Sequence, residues 1–193
     1  MAGKPQLCTL LAVASLVAGC GHQSSSPTPS AAPVGGELKA AQPSYPLGTP
    51  PKLTITLHNN GSQACSLPSV ADGSIQVVSV TRDGSAIVGR PGHESLFGGM
   101  ATVVAQGLRS VAPGGSISVP LDVEVSAHGS PILRTSQQSP VDDGRITSWL
   151  LDQPGAYRVT ARVVAVKGVQ RPDLPPECAL AGANATVEFQ VTK

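Results

Sequence analysis

The 193 residues are 40% apolar but only 3% aromatic, with 21 Gly and 18 Pro, so a core has to be built from Val, Ile, Leu and Ala between many turns. Charged residues make up 13% and the formal charge is +1, which offers nothing electrostatic to recruit nucleic acid and argues against such a partner. β-branched residues and dense turns favour an all-β chain.

Residues 1–19 hold one charged residue, Lys4, and then an apolar run from Leu7 to Ala18. That run is too short for a bilayer core of about 30 Å, which takes about 20 helical residues, so a cleaved signal peptide is expected. The stretch Leu16-Val17-Ala18-Gly19-Cys20 resembles the lipobox of bacterial lipoproteins, in which the signal is cut before the Cys and the Cys sulfur takes a diacylglycerol. The resemblance implies that Cys20 is the lipidated first residue of the mature chain, held to the cell membrane on its extracytoplasmic face. An ordinary secretory cut near Ala18, leaving Cys20 as a free thiol, is the other reading. With Lys4 removed, the remaining Lys and Arg balance the 12 Asp and Glu, so the acyl chains would do the anchoring without a basic patch. Cys8 would leave with the signal.

Residues 20–35 are Ser- and Pro-rich with almost no bulky apolar group, which predicts a disordered tether with a root-mean-square reach of roughly 20 Å. His22 lies in it. From residue 36 to 193 the pattern turns β-like. Glu37–Gln42 reads as a first strand, and the four prolines of Pro43–Pro51 as a turn. Lys52–His58 alternates, with Leu53, Ile55 and Leu57 on the buried face. Asn59-Asn60-Gly61-Ser62 ends it as a turn. Ser74–Val80 and Ala86–Val88 read as a hairpin around Asp83-Gly84, a pair that supplies the positive φ angles of a primed turn.

Arg90–Ala105 shows no sustained period and reads as mostly loop, with a short strand at Ala101–Val104. After the turn Ala112–Gly115, Ile117, Val119, Leu121, Val123 and Val125 alternate with polar residues, and Pro120, lacking an N–H, asks for an edge position. Residues 126–145 are polar and turn-rich, a long loop. Ala156–Lys167 alternates again through Tyr157, Val159, Ala161 and Val163. A Pro-rich loop over 168–184 carries Cys178, and Val187, Phe189 and Val191 give the last strand its inward face. Seven to nine short strands without an amphipathic helix predict a two-sheet antiparallel sandwich.

Tyr45-Pro-Leu-Gly, Leu53–Ser62, Val111–Val119 and Gln153-Pro-Gly-Ala-Tyr-Arg-Val-Thr160 together resemble the bacterial immunoglobulin-like domains of secreted lipoproteins. In that resemblance Tyr157 enters a late strand at a corner and hydrogen-bonds back to the backbone. The order of elements over residues 50–165, including Val80–Ser85, is also similar to the intracellular proteinase inhibitor family of BsuPI type. That family's Trp after the Asp-Gly hairpin is replaced here by Ile87 and Val88, so the resemblance carries the fold and not the activity. In an immunoglobulin-like order Cys65 and Cys178 fall in loops at one end, which suggests a disulfide. Two buried thiols or a metal pair are the rival readings, though neither Cys has a Cys or His at zinc-like spacing. The first strand would start at that same end, leaving the 126–145 loop at the end presented outward.

No catalytic motif is present: Gly-x-Ser-x-Gly, Ser-x-x-Lys and His-Glu-x-x-His are all missing, so no catalytic residue, cofactor or resident metal is expected. His93 with Met100 suggests copper chemistry but reads better as polar loop. Asp142-Asp143-Gly144 reads as a turn rather than a calcium loop, and Trp149 as a core plug. The expected function is a non-enzymatic binding or assembly module of the cell envelope with a membrane anchor and a protein partner. The alternatives are a secreted protease inhibitor and an envelope carrier of a metal or small ligand.

Overall fold

The computed structural model describes residues 34–180 and 184–193; Cys20, the lipobox and most of the expected tether lie outside them. In chain order the described strands are β1 (Gly35–Ala40), β2 (Ser44–Pro46), β3 (Leu53–His58), β4 (Cys65–Pro68), β5 (Ile75–Arg82), β6 (Ser85–Ala86) and β7 (Arg90–Glu94). Helix α1 (Gly99–Gly107) follows, then β8 (Leu108–Val111), β9 (Ser116–Pro120), β10 (Asp122–Val125), β11 (Pro131–Gln138), β12 (Gly144–Leu150), β13 (Gly155–Val163) and β14 (Asn184–Thr192). The all-β expectation holds, although the segments are more numerous than seven to nine.

They form sheets ordered β1-β3-β9, β10-β11-β12-β7, β2-β14-β13-β5-β6 and β4-β8. The inner faces of the three larger sheets share one core. Leu53, Ile55, Leu57 and Val119 come from the first, Leu133 and Trp149 from the second, and Val80, Tyr157, Val159 and Phe189 from the third. The alternation in β3 and β13 is as the sequence predicts, and Pro120 lies on the edge strand β9.

The expected single strand through Ser116–Val125 is two. The run pairs with β3 up to Pro120, and Leu121 donates its N–H to the Leu53 carbonyl at 2.9 Å. It then pairs with β11 from Asp122, so one stretch of backbone belongs to two sheets and Val125 ends exposed. A second difference is at residues 126–145, which are a turn, the eight-residue strand β11, another turn and the start of β12 rather than a loop. Leu133 is its fully buried apolar anchor. Thr135 and Ser136 are buried as well, one on each face of the strand, and disguise the alternation. Thr135 Oγ1 donates to the Ile75 carbonyl and accepts from Val77 N–H, while Ser136 Oγ donates to Asp72 and accepts from Gly73 N–H.

A third difference is α1, where loop and a short strand were expected. Its buried Met100 and Val104 make a small second core with Leu108 and Val166. Within the turn expected at Pro43–Pro51, Ser44–Pro46 adds a parallel edge strand beside β14.

Few aromatics are available, and three of them are stacked in series. The Tyr157 ring lies 5.6 Å from that of Phe189 in parallel, and Tyr45 meets Phe189 edge-on at 5.8 Å. Tyr157 Oη donates to the Gln153 carbonyl at 2.8 Å, the corner bond expected of it. The Asp83-Gly84 turn has positive φ at both residues, as the hairpin reading required.

The strands define two ends. At one, the turns at Asp83–Gly84 and Gln153–Gly155 lie together, with the Asp83 carboxylate accepting from Ala156 N–H at 2.8 Å, and Gly48 faces the Gly129 carbonyl. At the other, Cys65 and Cys178 form a disulfide with Cα atoms 4.9 Å apart, and Val34 N–H donates to the Ala179 carbonyl. The chain therefore enters beside the disulfide, as expected. The 126–145 segment does not sit at the opposite end; it runs the length of the molecule, with only its 126–130 turn there.

The disulfide joins residues 113 apart, for which the chain-entropy model gives roughly 4–5 kcal/mol. Replacing both Cys65 and Cys178 with Ala is expected to lower the thermal midpoint by about 10 °C, at roughly 2–4 °C per kcal/mol for a chain of this size. Calorimetry showing an unchanged midpoint would refute the staple's contribution.

Candidate functional site

The entry end is assembled by residues 164–179, which cross it after leaving β13. Val164 N–H donates to the Ser74 carbonyl at 2.8 Å. Lys167 and Gln138 bond reciprocally, the Lys167 N–H to Gln138 Oε1 and the Gln138 amide to the Lys167 carbonyl, each at 2.9 Å. Arg171 donates through Nη1 to the Ala105 carbonyl in the last turn of α1 at 2.6 Å, a cation beside the negative end of a helix. Its other nitrogens grip Asp173, whose carboxyl is held at about 2 by that hydrogen bond. Further on, Ser66 N–H donates to the Pro176 carbonyl and Cys178 N–H to the Ser66 carbonyl, tying the crossing segment to β4 beside the disulfide. Burial pushes the Glu177 carboxyl above its ordinary value.

The segments read from sequence as loops therefore converge here. Helix α1 has no side-chain cap of its own, since Gly98 precedes it. The turn at Ser139–Asp143 caps it instead. Asp142, held at φ 61°, accepts from Met100 N–H through its carbonyl at 2.7 Å and from Ala101 N–H through Oδ1 at 3.1 Å. Asp143 Oδ1 accepts from Leu96 N–H at 2.7 Å. Gly99 has to be glycine: its φ is +80°, and a Cβ there would stand 2.2 Å from Asp142 Oδ2. The Asp142-Asp143 pair is thus a turn, as expected, with a capping task that its own sequence neighbourhood does not reveal.

The other candidates are spread out. His93 is exposed on β7 with Nε2 3.5 Å from Asp143 Oδ2, whereas Met100 is fully buried and packs against Gly73. Their side chains do not meet, so the copper pairing fails on geometry. Among the described residues no three His, Cys, Asp or Glu side chains gather as metal ligands. Cys65 and Cys178 are joined to each other, not to a metal. His128 is in the 126–130 turn and His58 is half-buried on β3. Trp149 is 6% exposed and belongs to the main core.

Two features escaped the sequence reading. Phe97 is fully exposed at the tip of the loop before α1. On the four-stranded sheet, Arg134 stands among three carboxylates, Glu124 at 2.5 Å, Glu94 at 3.5 Å and Asp122 at 3.9 Å. Burial and the Glu124 charge raise the Asp122 carboxyl above its ordinary value despite Arg134. Spacing gives no hint of this cluster, because β7, β10 and β11 meet only through sheet pairing.

Asp142→Ala is expected to cost about 1–2 kcal/mol, the range of a lost helix cap, and to speed amide exchange across 99–107 ahead of the sheets. Asp142→Asn keeps an acceptor and tolerates the left-handed φ, so it should restore most of that protection; equal loss in both variants would contradict the capping role. For Asp122 the sign follows from a raised carboxyl: the folded state holds the proton more readily than the unfolded one. Its stabilising contribution is present below about pH 3.8 and disappears as pH rises through the raised value. Asp122→Asn should therefore match the parent near pH 3.8 and melt above it at pH 7, as thermal melts across that range can check. Comparison with protein families, with curated proteins and with solved structures finds no match to this chain.

Proposed function

We propose that this chain is a lipid-anchored, non-enzymatic binding or assembly module of a bacterial cell envelope, carried on acyl chains at Cys20 on the extracytoplasmic face. The observation that carries the reading is the Cys65–Cys178 disulfide, since such bonds persist in exported proteins and are rare in the cytosol. Export agrees with the lipobox-like Val17-Ala18-Gly19-Cys20. The entry of the chain supports a tethered arrangement, because Val34 is buried and hydrogen-bonded one residue from the stapled Cys178. Among the described residues no helix is long and apolar enough to cross a membrane.

For the binding surface the reading favours β7. All five of its residues, Arg90–Glu94, are exposed, and it is an edge strand of the four-stranded sheet. An edge offers unpaired backbone groups to which an extended partner segment adds as a further strand. Pro91 breaks the row of donors, which limits indiscriminate pairing with other edges.

Intact mass of the protein taken from membranes is expected to show a chain beginning at Cys20 and heavier by a diacylglyceryl group; an unmodified Cys20 or a cut elsewhere would sink the anchor. A photoreactive residue in place of His93 is expected to cross-link one envelope protein that the same residue at Thr160, on the five-stranded sheet, does not capture. Identical patterns from both positions would count against β7.

A further inference from the structure

Phe97 and Val141 are among the most exposed apolar side chains described, at 104% and 78% of full exposure. They belong to the two loops clamped together at the entry end. Leu96 N–H is held by Asp143, Met100 N–H and Ala101 N–H by Asp142, and Val141 N–H by Ser139 Oγ. Phe97 is thus one residue from one clamp and Val141 one residue from another. A chain with only two Phe, one of them in the central aromatic stack, places the other wholly outside the fold, on a support braced by hydrogen bonds.

The position of this tip gives it a partner. Residues 164–179 run across the entry end and touch in turn Gln138, just before the Val141 turn, then α1, then the disulfide, and finally Val34 through the Ala179 carbonyl. The apolar tip and the point where the chain arrives from Cys20 therefore share one end of the molecule. Fourteen Cα-to-Cα steps separate Cys20 from Val34, so even fully extended that chain keeps Val34 within about 50 Å of an anchored Cys20. Among the described residues that flank the tip by pairing or hydrogen bonding, Lys167 and Arg145 are balanced by Glu94, Asp142 and Asp143.

We propose that Phe97 and Val141 form a lipid-contacting tip that inserts into the headgroup and upper acyl region of the membrane holding Cys20. The inference rests on the lipid-anchor reading above and adds an orientation to it. Apolar contact alone drives it, so it does not depend on anionic lipid. A tip docked on the bilayer turns the entry end inward and presents the 46–51, 83–84 and 126–130 turns outward, leaving β7 accessible from the side.

The test uses the processed, lipidated full chain in phosphatidylcholine vesicles, with a nitroxide on Phe97→Cys, on Val141→Cys, or on His128→Cys as the far-end control. With Cys65 and Cys178 bonded and Cys20 acylated, the introduced thiol takes the label. Power saturation is expected to show the labels at 97 and 141 several-fold more accessible to oxygen than to a water-soluble nickel chelate, with the reverse at 128. Adding phosphatidylglycerol should leave the ratios unchanged. Labels at 97 and 141 that read as aqueous on a chain whose mass confirms lipid at Cys20 overturn the tip alone. A mass showing no lipid at Cys20 overturns the anchor, and the tip with it. Labels at 97 shielded from both reagents, with dipolar broadening between chains, overturn the lipid contact in favour of a second copy of the chain.

Discussion

The disulfide between Cys65 and Cys178 is the constraint on which the entry end depends. Without it, residues 164–179 would be a long connection between β13 and β14 with three small apolar contributions, Val166, Val169 and Leu174, to the second core. A connection of that length loses much conformational freedom on ordering and recovers little by burial alone. The covalent bond offsets part of that cost, roughly 4–5 kcal/mol in the chain-entropy model, by restricting the unfolded chain, and the bonds to Ser66, Ser74, Gln138 and Ala105 then position the segment. The second core, the helix and the seat of Val34 all lean on it.

A chain this poor in aromatics compensates by concentrating them. Tyr45, Phe189 and Tyr157 stack where the five-stranded sheet takes on its parallel edge strand, and both tyrosines retain hydrogen bonds for their hydroxyls, Tyr45 to the Lys52 carbonyl and Tyr157 to the Gln153 carbonyl. The remaining volume is filled by β-branched and leucyl side chains from facing sheets. Among the described residues no buried side-chain nitrogen or oxygen lacks a partner.

Much of this was legible in the amino-acid sequence wherever one local rule sufficed. The alternation of Leu53, Ile55 and Leu57, that of Tyr157, Val159 and Ala161, the Asp83-Gly84 turn and the edge position of Pro120 all depend on neighbouring residues. What escaped depended on distant ones. Helix α1 opens on Gly99 behind Gly98 and contains β-branched residues, so local propensity opposes it; its cap is Asp142, 41 residues from the Ala101 it holds. Strand β11 hides because Thr135 and Ser136 are buried and find partners on β5 and on Asp72-Gly73 just before it, where a polar residue would ordinarily signal solvent. The pairing of Cys65 with Cys178 was accessible because they are the two cysteines of the foldable part of a chain expected to be exported, and because a resemblance placed their loops at one end. Nothing in residue spacing announces that Phe97 is exposed, since exposure is a property of the finished surface.

The register of β1 has a mechanical consequence. Gly35 to Ala40 pair with His58 to Leu53, antiparallel, and the chain reaches Gly35 from the entry end. A load applied between the incoming chain and the turns of the other end is directed along the strands. The rungs of the β1 ladder then resist together in shear instead of parting one by one, and β1 becomes a force-bearing splice between the incoming chain and the rest of the fold.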